Sequence, residues 1–150
     1  MNRNIKRFIL DVLGNRSTMT LATVRPDGYP QATTVAFANE GLVLYFMCDV
    51  GAQKVHNIAK NKKVSLAIDG ESADWDHIHG LSMGGTAKIV ESLAEKRRAM
   101  KLLGDNPSMA ELSDADVEAS AVVRVTPKVI SAINYDLGFG HTDLVRVSSP

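Results

Sequence analysis

The chain has 150 residues, 45% of them apolar, and its 17 basic and 17 acidic side chains cancel at neutral pH. That length gives one domain, spanning 1–150, with a sizeable core, and the charge balance excludes a global field that would attract nucleic acid or a membrane. The single cysteine, Cys48, excludes an intramolecular disulfide or a CxxC site, and with no signal-like or bilayer-length apolar run the expected compartment is the cytoplasm.

In chain order, Asn4 to Leu13 carries Ile5, Phe8, Ile9, Val12 and Leu13 at helical spacing, with Gly14 as its stop. Three extended runs follow. Met19 to Val24 enters the turn Arg25-Pro26-Asp27-Gly28, Pro30 to Ala38 is rich in Thr, Val and Ala, and Asn39-Glu40-Gly41 turns it back into Leu42 to Met47. The period then changes: Val55, Ile58 and Ala59 share one face of a helix over Gln53–Lys60, and Asn61-Lys62-Lys63 leads into a strand over Val64–Ile68.

Beyond Asp69 lies an acidic loop with the only tryptophan, Trp75. Leu81 to Val90 reads as a fifth strand, in which Gly84-Gly85 signals a bulge or a close backbone approach. Leu93 to Leu103 is a charged helix with Leu93, Met100 and Leu103 as its apolar positions and Gly104 as its end. Asn106-Pro107 opens a short helical turn with Met109 and Leu112. Ala121–Thr126 and Val129–Tyr135 read as separate strands divided by Pro127-Lys128, followed by a glycine-rich loop to His141 and a last run, Leu144 to Val147. Six or seven strands, with helices confined to ends and crossovers, predict a mainly β, α+β fold: an antiparallel barrel. Successive strands at the start exclude a parallel nucleotide-binding sheet.

Two motifs carry little chemistry. Gly80-Leu81-Ser82-Met83-Gly84 matches the G-x-S-x-G hydrolase elbow, but a strand follows it where that elbow needs a helix. Asp74, Asp76, His77 and His79 are dense in metal-ligating atoms, yet no distant third His, Cys or Glu motif completes a site, so no metal is expected. Cys48 reads as a small thiol at a strand end. Phosphate-binding glycine loops are absent, so a phosphate must be held by side chains. Lys54, beside Gln53 at the start of a helix, sets a cation next to first-turn amides and suits an anion, the alternative being a solvated lysine.

The series Gly28-Tyr29-Pro30, Gly41-Leu42-Val43-Leu44-Tyr45-Phe46, Lys54-Val55-His56-Asn57-Ile58, Asn61-Lys62-Lys63-Val64-Ser65-Leu66 and Gly85-Thr86-Ala87-Lys88-Ile89-Val90 resembles, in order and spacing, the pyridoxamine 5'-phosphate oxidase-like family of FMN-binding split barrels. The resemblance implies a homodimer with FMN between its subunits, acting as an oxidoreductase on a small-molecule substrate or reductant. It assigns Gln31, Ala32, Thr33, Thr34 and Val35 to the edge of the flavin ring. Phe46, Met47 and Cys48 fall by the ribityl chain and phosphate, Gln53, Lys54 and Asn57 by the phosphate, and Leu81, Ser82 and Gly85 come from the other subunit.

Three positions depart from the family pattern. Cys48 stands where a Ser or Thr is usual, Gln53 where the vitamin-processing oxidases have Arg, and their C-terminal Arg-x-His has no counterpart, so pyridoxamine phosphate is not the expected substrate. The alternatives are a non-catalytic flavin or haem-type binder, stress-related in role, and a deazaflavin-dependent reductase. No acid–base residue stands out beyond His56 and His141.

Overall fold

A computed structural model describes residues 1–70, 74–106 and 113–148. Helix α1 (Arg3–Gly14) precedes strands β1 (Thr18–Val24), β2 (Pro30–Glu40) and β3 (Val43–Asp49). Helix α2 (Gln53–Lys60) and strands β4 (Lys63–Asp69) and β5 (His79–Ile89) come next. Helices α3 (Leu93–Gly104) and α4 (Asp114–Glu118) then lead to strands β6 (Ser120–Asn134) and β7 (Thr142–Arg146). The strands run in the order β3-β2-β1-β4-β5-β6-β7, and β3 also pairs with β6. Six antiparallel strands therefore close a barrel, with β7 added outside it, as the strand count predicted.

Hydrophobic alternation explains the closure. Along β4, Val64, Leu66 and Ile68 are buried while Lys63, Ser65, Ala67 and Asp69 are exposed, the period of two expected of a one-sided strand. Inward residues from every barrel strand, including Leu21, Phe37, Phe46, Met83 and Val123, join Ile9, Val12 and Leu13 of α1 in one core. The α1 apolar stripe thus plugs a barrel end, and Phe8 meets His79 edge-on at 5.5 Å. Turns behave as read: Gly28 (φ 90°) and Gly41 (φ 60°) take the left-handed conformations that end β1 and β2.

The outer wall has an unusual composition. One cross-strand row runs Thr34, Thr20, Ala67, Ser82, Ser131, and the next runs Ala32, Ala22, Ser65, Gly84, Val129. Small uncharged residues thus cover five neighbouring strands where a solvated wall would normally carry Lys and Glu.

Several predicted boundaries move. Pro127-Lys128 does not divide two strands: β6 runs through it, because the ladder shifts register between Gly84 and Gly85, where Gly84 faces Val129 and Gly85 faces Pro127, leaving Lys128 as the extra residue. A bulge is the place where a strand tolerates a proline without an N–H. Leu93 is 59% exposed rather than an apolar contact of α3; that end of the helix is held by Glu95, which accepts hydrogen bonds from Tyr45 (3.0 Å) and Arg124 (2.6 Å). Burial pushes the Glu95 carboxyl up, but the two hydrogen bonds and the charges of Arg124 and Arg98 together hold it below the usual carboxylate range. Gly14 and Gly104 are the last residues of their helices, with Asn15 and Asp105 as caps. The turn expected over Pro107, Met109 and Leu112 lies outside the described residues, while Asn106 is buried and its amide donates to the carbonyls of Ser17 and Phe37. Helix α4 was not anticipated.

The close approach at Gly85 generates a prediction. A Cβ there would lie 2.3 Å from the Thr126 carbonyl oxygen, whereas at Gly84 it would meet only the end of Val129 at 3.3 Å. Gly85→Ala should cost roughly 1–3 kcal/mol of stability and Gly84→Ala distinctly less, read as shifts in urea midpoint. Equal midpoints for the two variants would refute the backbone-clash account.

Candidate functional site

Helix α2 starts directly after β3 through a tight turn. Asp49 Oδ1 accepts from Gly51 N–H (2.7 Å) and its carbonyl from Ala52 N–H (3.0 Å). The N-cap is Ala52, which supplies no side-chain hydrogen bond to the first-turn amides. Alanine is among the poorest N-cap residues, so this helix start keeps an anion-attracting end. Lys54 lies in that first turn, half-buried. It also lies close to Cys48: burial pushes the Cys48 thiol up, with the Lys54 ammonium opposing and Asp49 adding to the rise. The strand end and the helix start predicted to face one phosphate are therefore neighbours.

Asn57, one turn after Lys54, is fully buried. Its amide nitrogen donates to Thr23 Oγ1 (2.9 Å) and Gln31 Oε1 (3.1 Å), and its oxygen accepts from Gln53 Nε2 (2.9 Å). Three of the predicted residues, Gln31, Gln53 and Asn57, are thus brought together, joined by Thr23, which the sequence did not single out. Their polar atoms are turned toward one another, and the hub ties α2 to β1 and β2. A buried, hydrogen-bonded amide such as that of Asn57 fixes geometry. Lys54, in the same first turn, stands outside this network.

The remaining residues separate by face. Val35, Phe46 and Leu81 are core residues, so their side chains point into the barrel and only their backbones can meet a ligand. Thr33 shares the inward parity of β2, Met47 is half-buried against Tyr45, Val90, Ala99 and Val122, and Gly85 lies at the bulge. Ala32, Thr34 and Ser82 face outward on the small-residue wall. Thr34 and Ser82 stand in one cross-strand row, but with Thr20 and Ala67 between them, which is roughly 14 Å at ordinary strand spacing. Within one chain the outward-facing β2 and β5 residues do not meet. The clefts of the single chain lie elsewhere: one of about 520 Å³ adjoins the C-terminal end of α2 and one of about 430 Å³ adjoins α1, and neither is lined by a predicted site residue.

The family model described as pyridoxamine 5'-phosphate oxidase matches residues 5–134. The chain belongs to this family. Its fold is similar to that of a conserved hypothetical protein from Mycobacterium tuberculosis (22% identity, 99% of this chain and 93% of that one, TM-score 0.79). It is also similar to HutZ, the haem storage protein of Vibrio cholerae (19% identity, 82% and 89% covered, TM-score 0.68), and to an F420 reductase (26% identity, 81% and 94% covered, TM-score 0.66). No curated protein matches the sequence.

Within this member of the pyridoxamine 5'-phosphate oxidase family, the histidines read as possible ligands have other company. His77 Nδ1 and His79 Nε2 each lie 2.6 Å from a different oxygen of Asp136, so one carboxylate clamps the loop before β5 to the turn after β6. The Asp136 hydrogen bond, with Asp74 adding, holds His77 above the usual imidazole range, and the two imidazoles hold Asp136 below the usual carboxylate range. Among the described residues no group of three His, Cys, Asp or Glu could hold a metal ion. His141 contacts Asp143 (3.0 Å) beside the C-terminal end of β6, whereas Cys48 pairs with Ala121 at the other end of that strand. The two predicted acid–base candidates therefore do not gather at α2: only His56 is on that helix, and it is exposed. No helix among the described residues is long and apolar enough to cross a membrane.

Asn57 can be tested as a support rather than a ligand contact. Asn57→Ala leaves the buried Thr23 hydroxyl without its partner and should lower the unfolding free energy by roughly 1–3 kcal/mol, seen as a lower urea midpoint at unchanged slope. An unaltered midpoint would show that the hub does not hold α2 on the barrel.

Proposed function

We propose that this chain, a single domain, is an FMN-binding flavoprotein and an oxidoreductase acting on a small molecule. The carrying observation is the start of α2, where Lys54 stands in the first turn of a helix whose Ala52 cap supplies no side-chain acceptor. This is where the 5'-phosphate of FMN would sit, held by the Lys54 ammonium and the first-turn amides, with Cys48 at the adjoining strand end. Bound FMN supplies hydride and electron transfer; the chain supplies orientation and exclusion of water. Lys54 is the only Lys or Arg between Arg25 and Lys60. That single cation suits one phosphate better than the longer acidic tail of a deazaflavin cofactor.

The protein works as a homodimer in this reading. The β2 residues Ala32 and Thr34 and the β5 residue Ser82 lie on one small-residue wall but too far apart within a chain to share a flavin. A two-fold pairing of such walls brings β5 of one copy against β2 of the other, which completes the groove. Light scattering should give twice the chain mass at micromolar concentration; a monomer mass would remove the shared site.

Titration of FMN and riboflavin by flavin fluorescence quenching tests the cofactor. Lys54→Ala should weaken FMN binding roughly ten- to a hundredfold, the loss of one charge-assisted contact, and leave riboflavin almost unaffected. Equal losses for both flavins would assign Lys54 to the fold or ring pocket, and an unchanged FMN affinity would make it a solvated lysine. Haem or deazaflavin binding in place of FMN would overturn the proposal.

A further inference from the structure

A cleft of about 520 Å³ opens between the C-terminal end of α2 and strands β5 and β6, within the size range of small-molecule sites. Its chemistry is mixed: Ile58 and Ile89 give it an apolar floor, while Lys62, Lys88 and Arg124 bring three cations to it. It is separate from the start of α2, because the eight-residue helix between Lys54 and Lys62 spans roughly 12 Å.

The strand ladder concentrates these charges. Lys88 pairs directly with Arg124 across β5 and β6, and Thr86 pairs with Thr126 one step along the same face. Ala87 between them points into the core. Like charges directly opposite on neighbouring strands are unfavourable, and the protein relieves only one of them. Glu95 accepts from Arg124 Nη1 with both carboxylate oxygens at 2.6 Å, while Lys62 and Lys88 form no ion pair with a carboxylate among the described residues. Lys62 is fixed beside the strand as well, its carbonyl accepting from Ala87 N–H at 2.8 Å. Glu91 is the carboxylate in the lining, and with Glu95 it limits the surplus positive charge to about one unit.

We propose that this cleft is a second ligand site, which takes a small organic phosphate monoester. Its phosphate lies between Lys62, Lys88 and the remaining donors of Arg124, within reach of the Thr86 and Thr126 hydroxyls. Its carbon body rests on the Ile58 and Ile89 floor. The acidic rim and the modest surplus charge favour a single phosphate over a polyphosphate.

Phenyl phosphate tests this in the protein as purified, with and without saturating FMN, by calorimetry and by amide NMR shifts. Saturable binding is expected, with shifts concentrated at residues 86–88 and 124–126 and an affinity indifferent to FMN. Phenol, which lacks the phosphate, should bind far more weakly. Lys62→Ala and Lys88→Ala alter exposed side chains, so the fold stays intact, and each should weaken phenyl phosphate roughly tenfold. The proposal fails if no saturable binding occurs at millimolar ligand, if the double variant binds as well as the parent, or if the shifts fall at residues 53–57 and disappear with FMN.

Discussion

The Thr126 carbonyl oxygen occupies the space where any side chain on residue 85 would begin. This one close approach lets the last long strand serve two partners. Residues 120–125 of β6 pair with β3 and close the barrel, and residues 129–133 pair with β7 outside it. The bend between the two halves falls where the ladder slips past Lys128. A straight β6 could not leave β3 and still follow β5 along its full length, so the closed barrel and its extra strand both rest on a glycine opposite a proline.

Closure in turn fixes where chemistry can happen. The interior is filled by side chains, which leaves the rim and the outer wall. The buried amide of Asn57 sets α2 on the rim, and the helix start then presents Lys54 beside the end of β3. Members and structural relatives of this fold include a haem storage protein and an F420 reductase, so the barrel itself does not select the ligand. In the proposed function, selection rests on the few side chains that the helix start and the outer wall expose.

The sequence made the barrel legible because most of its signals are local. Alternation in Val64–Ile68, the Gly28 and Gly41 turns and the helical period of Gln53–Lys60 each involve residues within a few positions. The split expected at Pro127-Lys128 fails for the converse reason: the compensating feature, the Gly84-Gly85 slip, lies on another strand. The site was less legible. The motif places Asn57 by the cofactor, but not its partners Thr23 and Gln31, which are 34 and 26 residues away. Asp136, the shared partner of His77 and His79, is similarly remote and carries no pattern of its own. Only the position of Lys54 at a helix start was a local signal, and it is the one on which the proposed function stands.

Barrel closure also has a consequence for how the chain reaches this state. Asp49 pairs with Ser120 and Leu44 with Val125, so the seam joins the first third of the chain to the last third. During synthesis β3 must wait, one edge unpaired, until most of the remaining residues have emerged. A waiting edge of this sort accepts any matching strand, including β6 of another nascent copy. Exchange of that strand between chains would form the same seam with the wrong connectivity, so the speed with which β6 reaches β3 bears directly on the yield of correctly closed protein.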